Sequence, residues 1–327
     1  MQITILGAGS WATAIARLLS DKYEILLYSR NKEVNDAINN EHINKKYFPD
    51  LELSENIKAT DSIEKASENK YIINAIPTQA TREVLNNFKD HLSNEKVFIN
   101  LSKGLELNTH KRISQIVKEI SDINYAVLSG PSHAEEVIIA MPTTVVCASE
   151  DESIAKDVQN IFMRDTFRVY TSTDVIGVEL GGAVKNILAL GIGILDGLGY
   201  GDNPKAALIT RGIHEMSKFA KSQNADIKTI NGLAGVGDLI VTATSEHSRN
   251  FKAGRLIGKG INVEEAKKEI KMVVEGIPTT KAIYSLSKDI SEQMPITTEI
   301  YNVLFNNQDP KDCAINLMTR DKKSEYE

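Results

Sequence analysis

The chain has 327 residues, a length typical of two domains rather than of one core. Hydrophobic residues make up 42% and charged residues 25% of it, the balance of an ordinary globular protein with a large core. The formal net charge of −6 argues against general nucleic-acid binding, and it means that any anionic ligand must be held by cations gathered locally.

The cysteines and the apolar stretches indicate where such a chain would reside. Cys147 and Cys313 lie far apart, and neither stands in a C-x-x-C or metal-ligand spacing, so we expect no disulfide framework and a reducing compartment. The first residues lack a basic region with a cleavage site. The most apolar later stretch, residues 175–195, contains Glu179 and Lys185, which disfavours a bilayer span. The sequence therefore predicts a cytoplasmic protein.

The first half of the chain alternates short β-rich runs with helical patterns. The predicted strands are residues 3–6, 24–28, 71–76, 96–101, 125–128, 143–148 and 167–171. The predicted helices between them include residues 11–19, 31–39, 78–91 and 109–119. Such β/α alternation predicts a mostly parallel sheet with helices on both faces, which is a Rossmann-like, doubly wound α/β domain.

After about residue 173 the strand pattern stops, and helical patterns follow one another. They are joined by loops that contain Gly, Pro or Asn. We therefore place a dinucleotide-binding Rossmann domain at residues 1–180 and an all-α, substrate-binding domain at residues 181–327.

The first predicted strand runs directly into GAGSWA, residues 7–12, and then into a helix. This is a G-x-G-x-x-A pattern in the context of strand, turn and helix that binds dinucleotides. Gly7 permits the tight turn, Gly9 lets a pyrophosphate approach the backbone, and Ala12 lets helix and strand pack closely. The free N–H groups of the helix N-terminus attract phosphate. The predicted cofactor contacts in this loop are Gly7, Gly9, Ser10 and Trp11.

The end of the second strand bears on which dinucleotide is bound. NAD-binding domains commonly carry a carboxylate there that holds the adenosine ribose. Here the strand ends Tyr28-Ser29-Arg30-Asn31 without an acid, and Arg30 suits a 2′-phosphate. NADP is therefore favoured and NAD stays open; the alternative for Arg30 is a solvated charge at a strand end.

Further motifs follow in order along the chain. They are NLSKGLE (100–106), LSGPSHAEEV (128–137), VELGGAVKNILALGIG (178–193), GVGDLIVTATSEHSRN (235–250), VVEGIPTTKA (273–282) and the tail LMTRDKKSE. Together with the glycine loop they resemble the bacterial-type NAD(P)-dependent glycerol-3-phosphate dehydrogenase family over essentially the whole chain. The resemblance implies reversible reduction of dihydroxyacetone phosphate to sn-glycerol 3-phosphate, which supplies glycerophospholipid synthesis, and it implies a homodimer. Two positions depart from the family pattern: Ala12 precedes Thr13 where Gly-Thr-Ala is frequent, and Asn31 stands where His or Arg is common.

Lys185 is the first candidate for the chemistry. Reduction of a ketone requires a proton donor at the carbonyl oxygen, and a lysine ammonium both donates and stabilises the developing alkoxide. Lys185 stands alone among Gly, Ala, Leu and Ile, beside Asn186, where a charge is expensive without a task or a partner. Desolvation and a second cation would lower its pKa. The alternative is a lysine that snorkels from a buried helix.

Lys103 is the second cation, at the carboxyl end of a predicted strand where open α/β sheets bind ligands. The resemblance implies that Lys103 binds cofactor and substrate rather than donating the proton. The alternative is an exposed lysine at a strand end.

The motif GPSHAEE follows another predicted strand. Gly130 and Ser132 can offer a backbone amide and a hydroxyl to the substrate, and the resemblance places Ala134 beside the cofactor. His133 has an ordinary pKa near neutrality, as a general base requires. Because no aspartate is spaced to orient it, Lys185 is the preferred proton carrier. The six histidines show no metal-ligand spacing, and this chemistry needs no metal.

Ser248, Arg249 and Asn250 lead directly into a helical pattern, so Ser248 is expected near a helix N-terminus. Hydroxyl, guanidinium, amide and free N–H groups together make a phosphate grip, and Arg249 is placed to touch the cofactor as well. Asp238 would repel a phosphate unless it pairs with Lys185 or accepts from a substrate hydroxyl, and we assign it both roles. The alternative for the loop is a hydroxyl-capped surface turn.

Val273 and Glu275 resemble the nicotinamide-side contacts of the family, and Glu275 can accept from a carboxamide. Two other functions stay open on sequence alone: a related hydroxy-acid dehydrogenase, and a non-catalytic dinucleotide-sensing regulator. The presence of both Lys185 and Asp238 weighs against the regulator. The fold does not separate the two dehydrogenases, but the short Ser-Arg-Asn grip favours a small phosphate ester.

Overall fold

A computed structural model describes residues 1–322, 324 and 325, so Lys323 of the LMTRDKKSE tail and the last two residues of the predicted helical domain lie outside the described residues. The strands are β1 Gln2–Leu6, β2 Glu24–Tyr28, β3 Ile43–Asn44, β4 Phe48–Glu52, β5 Ile57–Thr60, β6 Tyr71–Asn74, β7 Val97–Asn100, β8 Asn124–Ser129, β9 Thr143–Ala148 and β10 Phe167–Ser172. All seven predicted strands are confirmed.

The helices of the first half alternate with these strands. They are α1 Ser10–Leu19, α2 Lys32–Glu41, α3 Ile63–Ser67, α4 Thr78–Phe88, α5 Ile113–Ile120, α6 Ala134–Val137 and α7 Glu152–Phe162. The main sheet has the order β10-β9-β8-β7-β6-β1-β2-β5. Its pairs are parallel except β8 with β9, which is antiparallel. The predicted doubly wound sheet is therefore confirmed, and the carboxyl ends of β1, β6, β7 and β8 share one edge.

The second half is all helical. Its helices are α8 Val175–Gly197, α9 Asp202–Ser222, α10 Ile227–Ile230, α11 Asp238–Thr244, α12 Arg249–Gly258, α13 Val263–Ile270, α14 Gly276–Asp289, α15 Pro295–Phe305 and α16 Pro310–Met318. The last strand ends at Ser172 and α8 begins at Val175, so the predicted boundary at residue 180 falls within α8. One hydrophobic cluster lies between the main sheet and its helices, and a separate cluster forms the core of the helical half.

Helix α8 is the central element of the helical half. By length and composition it could cross a membrane, but 94% of its most apolar window is buried inside the protein, as in the core helix of a packed domain. It crosses α12 at very short range. A Cβ on Gly193 would lie 2.1 Å from the carbonyl oxygen of Phe251, and one on Gly254 would lie 2.0 Å from that of Leu190. Glycine is required at both positions because any side chain would overlap the facing backbone.

This crossing has a direct consequence for the ligand-binding residues. It carries the N-terminus of α12 to the middle of α8, where the Asn250 side-chain amide donates to Asn186 Oδ1 at 2.8 Å. The predicted phosphate grip and Lys185, 64 residues apart, are thereby brought to the same part of the molecule.

Candidate active site

A cleft of about 980 Å³ lies between the carboxyl ends of the parallel strands and the helical half. Most of the predicted site residues line it. These are Gly7, Gly9, Ser10, Trp11, Lys103, Ser132, Ala134, Lys185, Ser248, Arg249, Asn250, Val273 and Glu275. Three predicted residues lie outside its lining: Arg30, Gly130 and Asp238.

The glycine loop has the geometry that its sequence predicts. Gly7 has φ +105°, and a Cβ there would lie 3.0 Å from Ile76 Cγ2, so only glycine fits the turn. Gly9 is the N-cap of α1, and a Cβ built on it meets nothing within 4 Å, which leaves its backbone open to a ligand. The first N–H groups of α1 have no intrahelical partner. Open backbone and free donors fit the pyrophosphate of NAD(P).

The glycine loop is also held in place by Asn44, which was not predicted from the sequence. The Asn44 side-chain amide donates to the carbonyl of Ala8 at 3.0 Å and to Thr13 Oγ1 at 2.8 Å. Asn44 is 31 residues from Thr13, in the two-stranded β3–β4 sheet that the sequence pattern did not predict. The neighbouring Lys46 and Tyr47 also line the cleft, and no local motif marks them.

Arg30 lies at the end of β2, as predicted, but it points to Glu83 rather than into the cleft. Its Nη1 is 2.9 Å from Glu83 Oε1, and both side chains are more than 60% exposed. An exposed pair of this kind stabilises by roughly 0–1 kcal/mol, so a phosphate can readily displace Glu83.

A buried carboxylate joins the two predicted lysines. Asp238 Oδ2 lies 2.5 Å from Lys103 Nζ, and Asp238 Oδ1 lies 3.0 Å from Lys185 Nζ. The predicted pairing of Asp238 with Lys185 is present. The second predicted role, acceptance from a substrate hydroxyl, stays a prediction; Asp238 is 1% exposed and outside the cleft lining, and each of its oxygens already accepts from a lysine.

Further contacts fix the two amines. Lys185 Nζ donates to Thr242 Oγ1 at 2.6 Å, one helical turn beyond Asp238. Lys103 Nζ donates to the carbonyl of Gly130 at 3.1 Å. Gly130 therefore contributes a carbonyl acceptor for a lysine, and its predicted role as an amide donor to the substrate stays a prediction. The same carbonyl accepts from Ser132 Oγ at 2.9 Å. Thr242 was not predicted as a site residue; its spacing of four residues from Asp238 is the sequence signal that could have identified it.

The electrostatics suit a proton carrier. Burial lowers the pKa of Lys185 to about 8; Asp238 opposes this shift, whereas the positive charges of Lys103 and Arg249 add to it. Burial would raise the pKa of Asp238, but Lys103 and Lys185 outweigh it and hold that pKa below its ordinary value. An ionised aspartate thus holds an amine that changes charge near neutral pH.

The N-terminus of α12 faces the same cleft. Ser248 is its N-cap and accepts from the Phe251 N–H at 3.2 Å. Arg249 is exposed to the cleft and forms no ion pair with a described carboxylate. Asn250 acts partly as scaffold: besides its bond to Asn186, its Oδ1 accepts from the Gly276 N–H at 2.8 Å. The predicted grouping of hydroxyl, guanidinium and helix N-terminus is present.

Glu275 connects the helical half to the sheet half. Its Oε1 accepts from the Thr78 N–H at the start of α4, at 3.1 Å, while Oε2 is buried without a partner among the described residues. Burial raises the pKa of Glu275 to about 7, against the Thr78 bond and the charge of Arg249. The unpaired oxygen fits an amide donor such as a carboxamide. Val273, 45% exposed, lies two residues earlier along the same wall.

Cations at the mouth of the cleft were also missed from the sequence, because the residues that gather them are far apart. They are Lys46, Lys267, Lys271 and Lys281. The described residues contain no group of three or more His, Cys, Asp or Glu that could hold a metal ion.

A doubly wound domain whose glycine loop shares a cleft with a lysine that a buried aspartate holds defines an NAD(P)-dependent oxidoreductase. Comparison with known families narrows the class. Residues 2–155 match the N-terminal model of NAD-dependent glycerol-3-phosphate dehydrogenase, and residues 174–314 match its C-terminal model. The chain belongs to the NAD-dependent glycerol-3-phosphate dehydrogenase family.

Individual relatives agree with this assignment. The chain is 51% identical to a glycerol-3-phosphate dehydrogenase (NAD(P)+) of Clostridium botulinum, with 99% of each chain covered. It is 49% identical to one of Halothermothrix orenii, with 100% of this chain and 97% of that protein covered. The solved structure of glycerol-3-phosphate dehydrogenase from Coxiella burnetii superposes with a TM-score of 0.94 at 36% identity, with 98% and 99% of the chains covered. A D-mandelate dehydrogenase shares only the fold, at 13% identity and a TM-score of 0.63.

Proposed function

We propose that the chain catalyses the reversible NAD(P)H-dependent reduction of dihydroxyacetone phosphate to sn-glycerol 3-phosphate, the precursor of glycerophospholipids. The observation that carries this proposal is the placement of Lys185 and Arg249 around one cleft that also contains the dinucleotide loop. When bound, the reduced nicotinamide supplies the hydride. The residues of the chain bind, orient and move the proton.

Lys185 is the proton carrier in this proposal. With a pKa of about 8 its amine is mostly protonated at pH 7, so it can donate to the substrate carbonyl oxygen as negative charge develops there. In the reverse direction the neutral amine takes the proton from the alcohol. Asp238 orients the amine, and Lys103, on the other oxygen of Asp238, adds a fixed positive charge beside the reacting oxygen.

Ser248, Arg249 and the free N–H groups of α12 bind the substrate phosphate. A dianion at a helix N-terminus is favoured by the helix dipole, and the guanidinium adds charge-assisted hydrogen bonds. Asn250 positions these groups through Asn186 and Gly276. Ser132 contacts the substrate, and Ala134, Val273 and Glu275 line the cofactor side.

NADPH is the favoured cofactor in this proposal, because Arg30 lies just beyond the end of β2 and no carboxylate stands among residues 29–31. The exposed Arg30–Glu83 pair opens to admit the 2′-phosphate. We further infer a cytoplasmic homodimer that does not insert into membranes or bind nucleic acid. The dinucleotide-binding domain and the helical substrate-binding domain, predicted to meet at residue 180, meet in this proposal at the start of α8.

The experiment follows absorbance of the reduced nicotinamide with the purified chain, dihydroxyacetone phosphate and each cofactor in turn. Turnover with dihydroxyacetone phosphate, faster with NADPH than with NADH, is expected, and Arg30→Ala should narrow the difference between the cofactors. Turnover of a six-carbon sugar acid phosphate but not of dihydroxyacetone phosphate would reject the substrate. Binding of NADPH without any turnover would favour the regulator instead.

A further inference from the structure

His133 lies in the active-site cleft with a defined role for only one of its two ring nitrogens. It is the N-cap residue of α6, between Ser132 and Ala134, and its side chain lines the cleft. Its Nε2 lies 3.2 Å from the carbonyl oxygen of Val241. Val241 is in the last turn of α11, where carbonyls lack intrahelical partners. Because a carbonyl only accepts, Nε2 must carry a hydrogen.

The surroundings keep the ring neutral. Burial lowers the pKa of His133 below its ordinary value, and the positive charge of Lys185 lowers it further, against the Val241 bond and the carboxylates of Glu135 and Glu136. The ring of His247 faces it with the centroids 5.8 Å apart. A neutral imidazole that is protonated on Nε2 has a lone pair on Nδ1.

That lone pair is available. Nδ1 forms no hydrogen bond within the described part of the chain, and it is not among the buried polar atoms that lack a partner. The structure therefore provides, beside the proton-carrying lysine, an acceptor whose tautomer is fixed from the opposite side of the ring. The orienting group that the sequence did not reveal is a backbone carbonyl rather than an aspartate.

The cleft needs such an acceptor. Its centre is rich in donors, since Lys103, Lys185 and Arg249 all face it. The carboxylate of Asp238 is occupied by two lysines. A three-carbon phosphate with a free hydroxyl gives up a water when it binds, and an unpaired buried hydroxyl would weaken binding.

We propose that Nδ1 of His133 accepts a hydrogen bond from the free hydroxyl of the substrate, so that His133 distinguishes dihydroxyacetone phosphate from three-carbon phosphates that lack this hydroxyl. The inference rests on the proposed function and adds a specificity-determining residue to it. The proton transfer itself stays with Lys185.

Two substitutions separate this role from a structural one. His133→Gln places an amide nitrogen near the position of Nε2, so it keeps the bond to Val241 and loses the acceptor at Nδ1. His133→Asn places an oxygen near the position of Nδ1, so it keeps the acceptor and loses the bond to Val241. The substrates compared are dihydroxyacetone phosphate and hydroxyacetone phosphate, which lacks the free hydroxyl, each measured as kcat/KM with NADPH.

The unmodified protein is expected to favour dihydroxyacetone phosphate. His133→Gln should lower its kcat/KM about tenfold, the factor for one hydrogen bond of about 1.4 kcal/mol, and leave that of hydroxyacetone phosphate unchanged. His133→Asn should keep most of the discrimination and melt at a lower temperature. NADPH affinity should be unchanged in both variants.

Three results would overturn the inference: full discrimination in His133→Gln, loss of discrimination in His133→Asn alone, or its loss in Ser132→Ala but not in His133→Gln. If the unmodified protein reduces neither compound, the proposed function itself fails. Nitrogen NMR of the unmodified protein gives an answer that does not depend on the variants folding. An Nε2-protonated ring whose bare Nδ1 shifts on addition of glycerol 3-phosphate with NADP is expected; a doubly protonated ring, or an Nδ1 that does not respond, contradicts the proposal.

Discussion

Two helix N-termini face the same cleft, and they are built in different ways. The N-terminus of α1 offers backbone alone, with no acidic residue in its first turn and an open glycine at its cap. The N-terminus of α12 offers a capping serine and an exposed arginine. Backbone N–H groups are enough to hold the pyrophosphate of a dinucleotide, whereas a guanidinium gives a phosphate monoester the extra positive charge it needs.

The two sites also differ in what positions them. The α1 loop is set by the strand directly before it in the sequence, β1, with Asn44 behind it. The α12 site is set by the crossing with α8 at Gly193 and Gly254. The first is therefore a local feature of the chain, and the second exists only after the helical half has packed.

The largest expected effect comes from removing the amine that both sites surround. Lys185→Ala should lower kcat by roughly 10²–10⁴-fold, the usual contribution of a general acid. NADPH binding at the α1 site should stay close to normal, as measured by fluorescence titration. A variant that keeps near-normal turnover would show that another group carries the proton.

Removing the cation of the α12 site should act chiefly on substrate binding. Arg249→Ala should raise KM for dihydroxyacetone phosphate by about 10- to 100-fold, the factor for a charge-assisted hydrogen bond of 1.5–3 kcal/mol. Lys252→Ala, on the exposed side of the same helix, is the matched control and should change KM little. Equal effects of the two variants would mean that the site responds only to overall charge.

Two glycine substitutions test the difference in construction. Gly254→Ala should destabilise the fold by about 1–3 kcal/mol, because overlap with the Leu190 carbonyl outweighs the roughly 1 kcal/mol that alanine gains in a helix. Gly9→Ala meets no neighbour, so its cost in stability should stay below about 1 kcal/mol while NADPH affinity falls. Thermal melting and cofactor titration measure both. Similar melting temperatures for the two variants would contradict the distinction.

The pH dependence tests the charge of Lys185. Because its pKa is about 8, kcat/KM for ketone reduction should fall about tenfold between pH 7 and pH 9 as the ammonium is lost. Oxidation of glycerol 3-phosphate should rise over the same interval, since the neutral amine is then the base. If both directions follow the same pH profile, Lys185 is not the proton carrier.

The contrast between local features and features that depend on tertiary packing also explains which parts of the fold could be predicted from the sequence. The glycine loop, the seven predicted strands and the cap at Ser248 were predictable because each depends on adjacent residues. The strands β3, β4 and β5 were missed because β3 has two residues, β4 contains Pro49, and β5 is a four-residue strand with the exposed Lys58 inside it. Because β3 was not predicted, Asn44, which lies in it, was not recognised as a support of the glycine loop.

Within the site, the contacts that could not be predicted from the sequence are those between residues far apart in the chain. The pairing of Asp238 with Lys185 was predicted from charge, but the second bond of Asp238, to Lys103, crosses 135 residues and could not be predicted. The bond from Lys103 to the Gly130 carbonyl was also missed, because nothing in the sequence shows which backbone group a lysine will reach. The cleft-lining lysines of α13 and α14 carry no local pattern at all.

The pKa of Lys185 depends in part on two glycines, Gly193 and Gly254, that lie outside the cleft lining. Burial is the main cause that lowers the pKa of Lys185, and Arg249 adds to it because α12 lies directly against α8, a contact that needs bare backbone at Gly193 and Gly254. A methyl group added at either position would push the guanidinium outward and let the amine hold its proton more tightly. Substitution of either glycine, neither of which lines the cleft, would therefore change the pH at which the enzyme is most active.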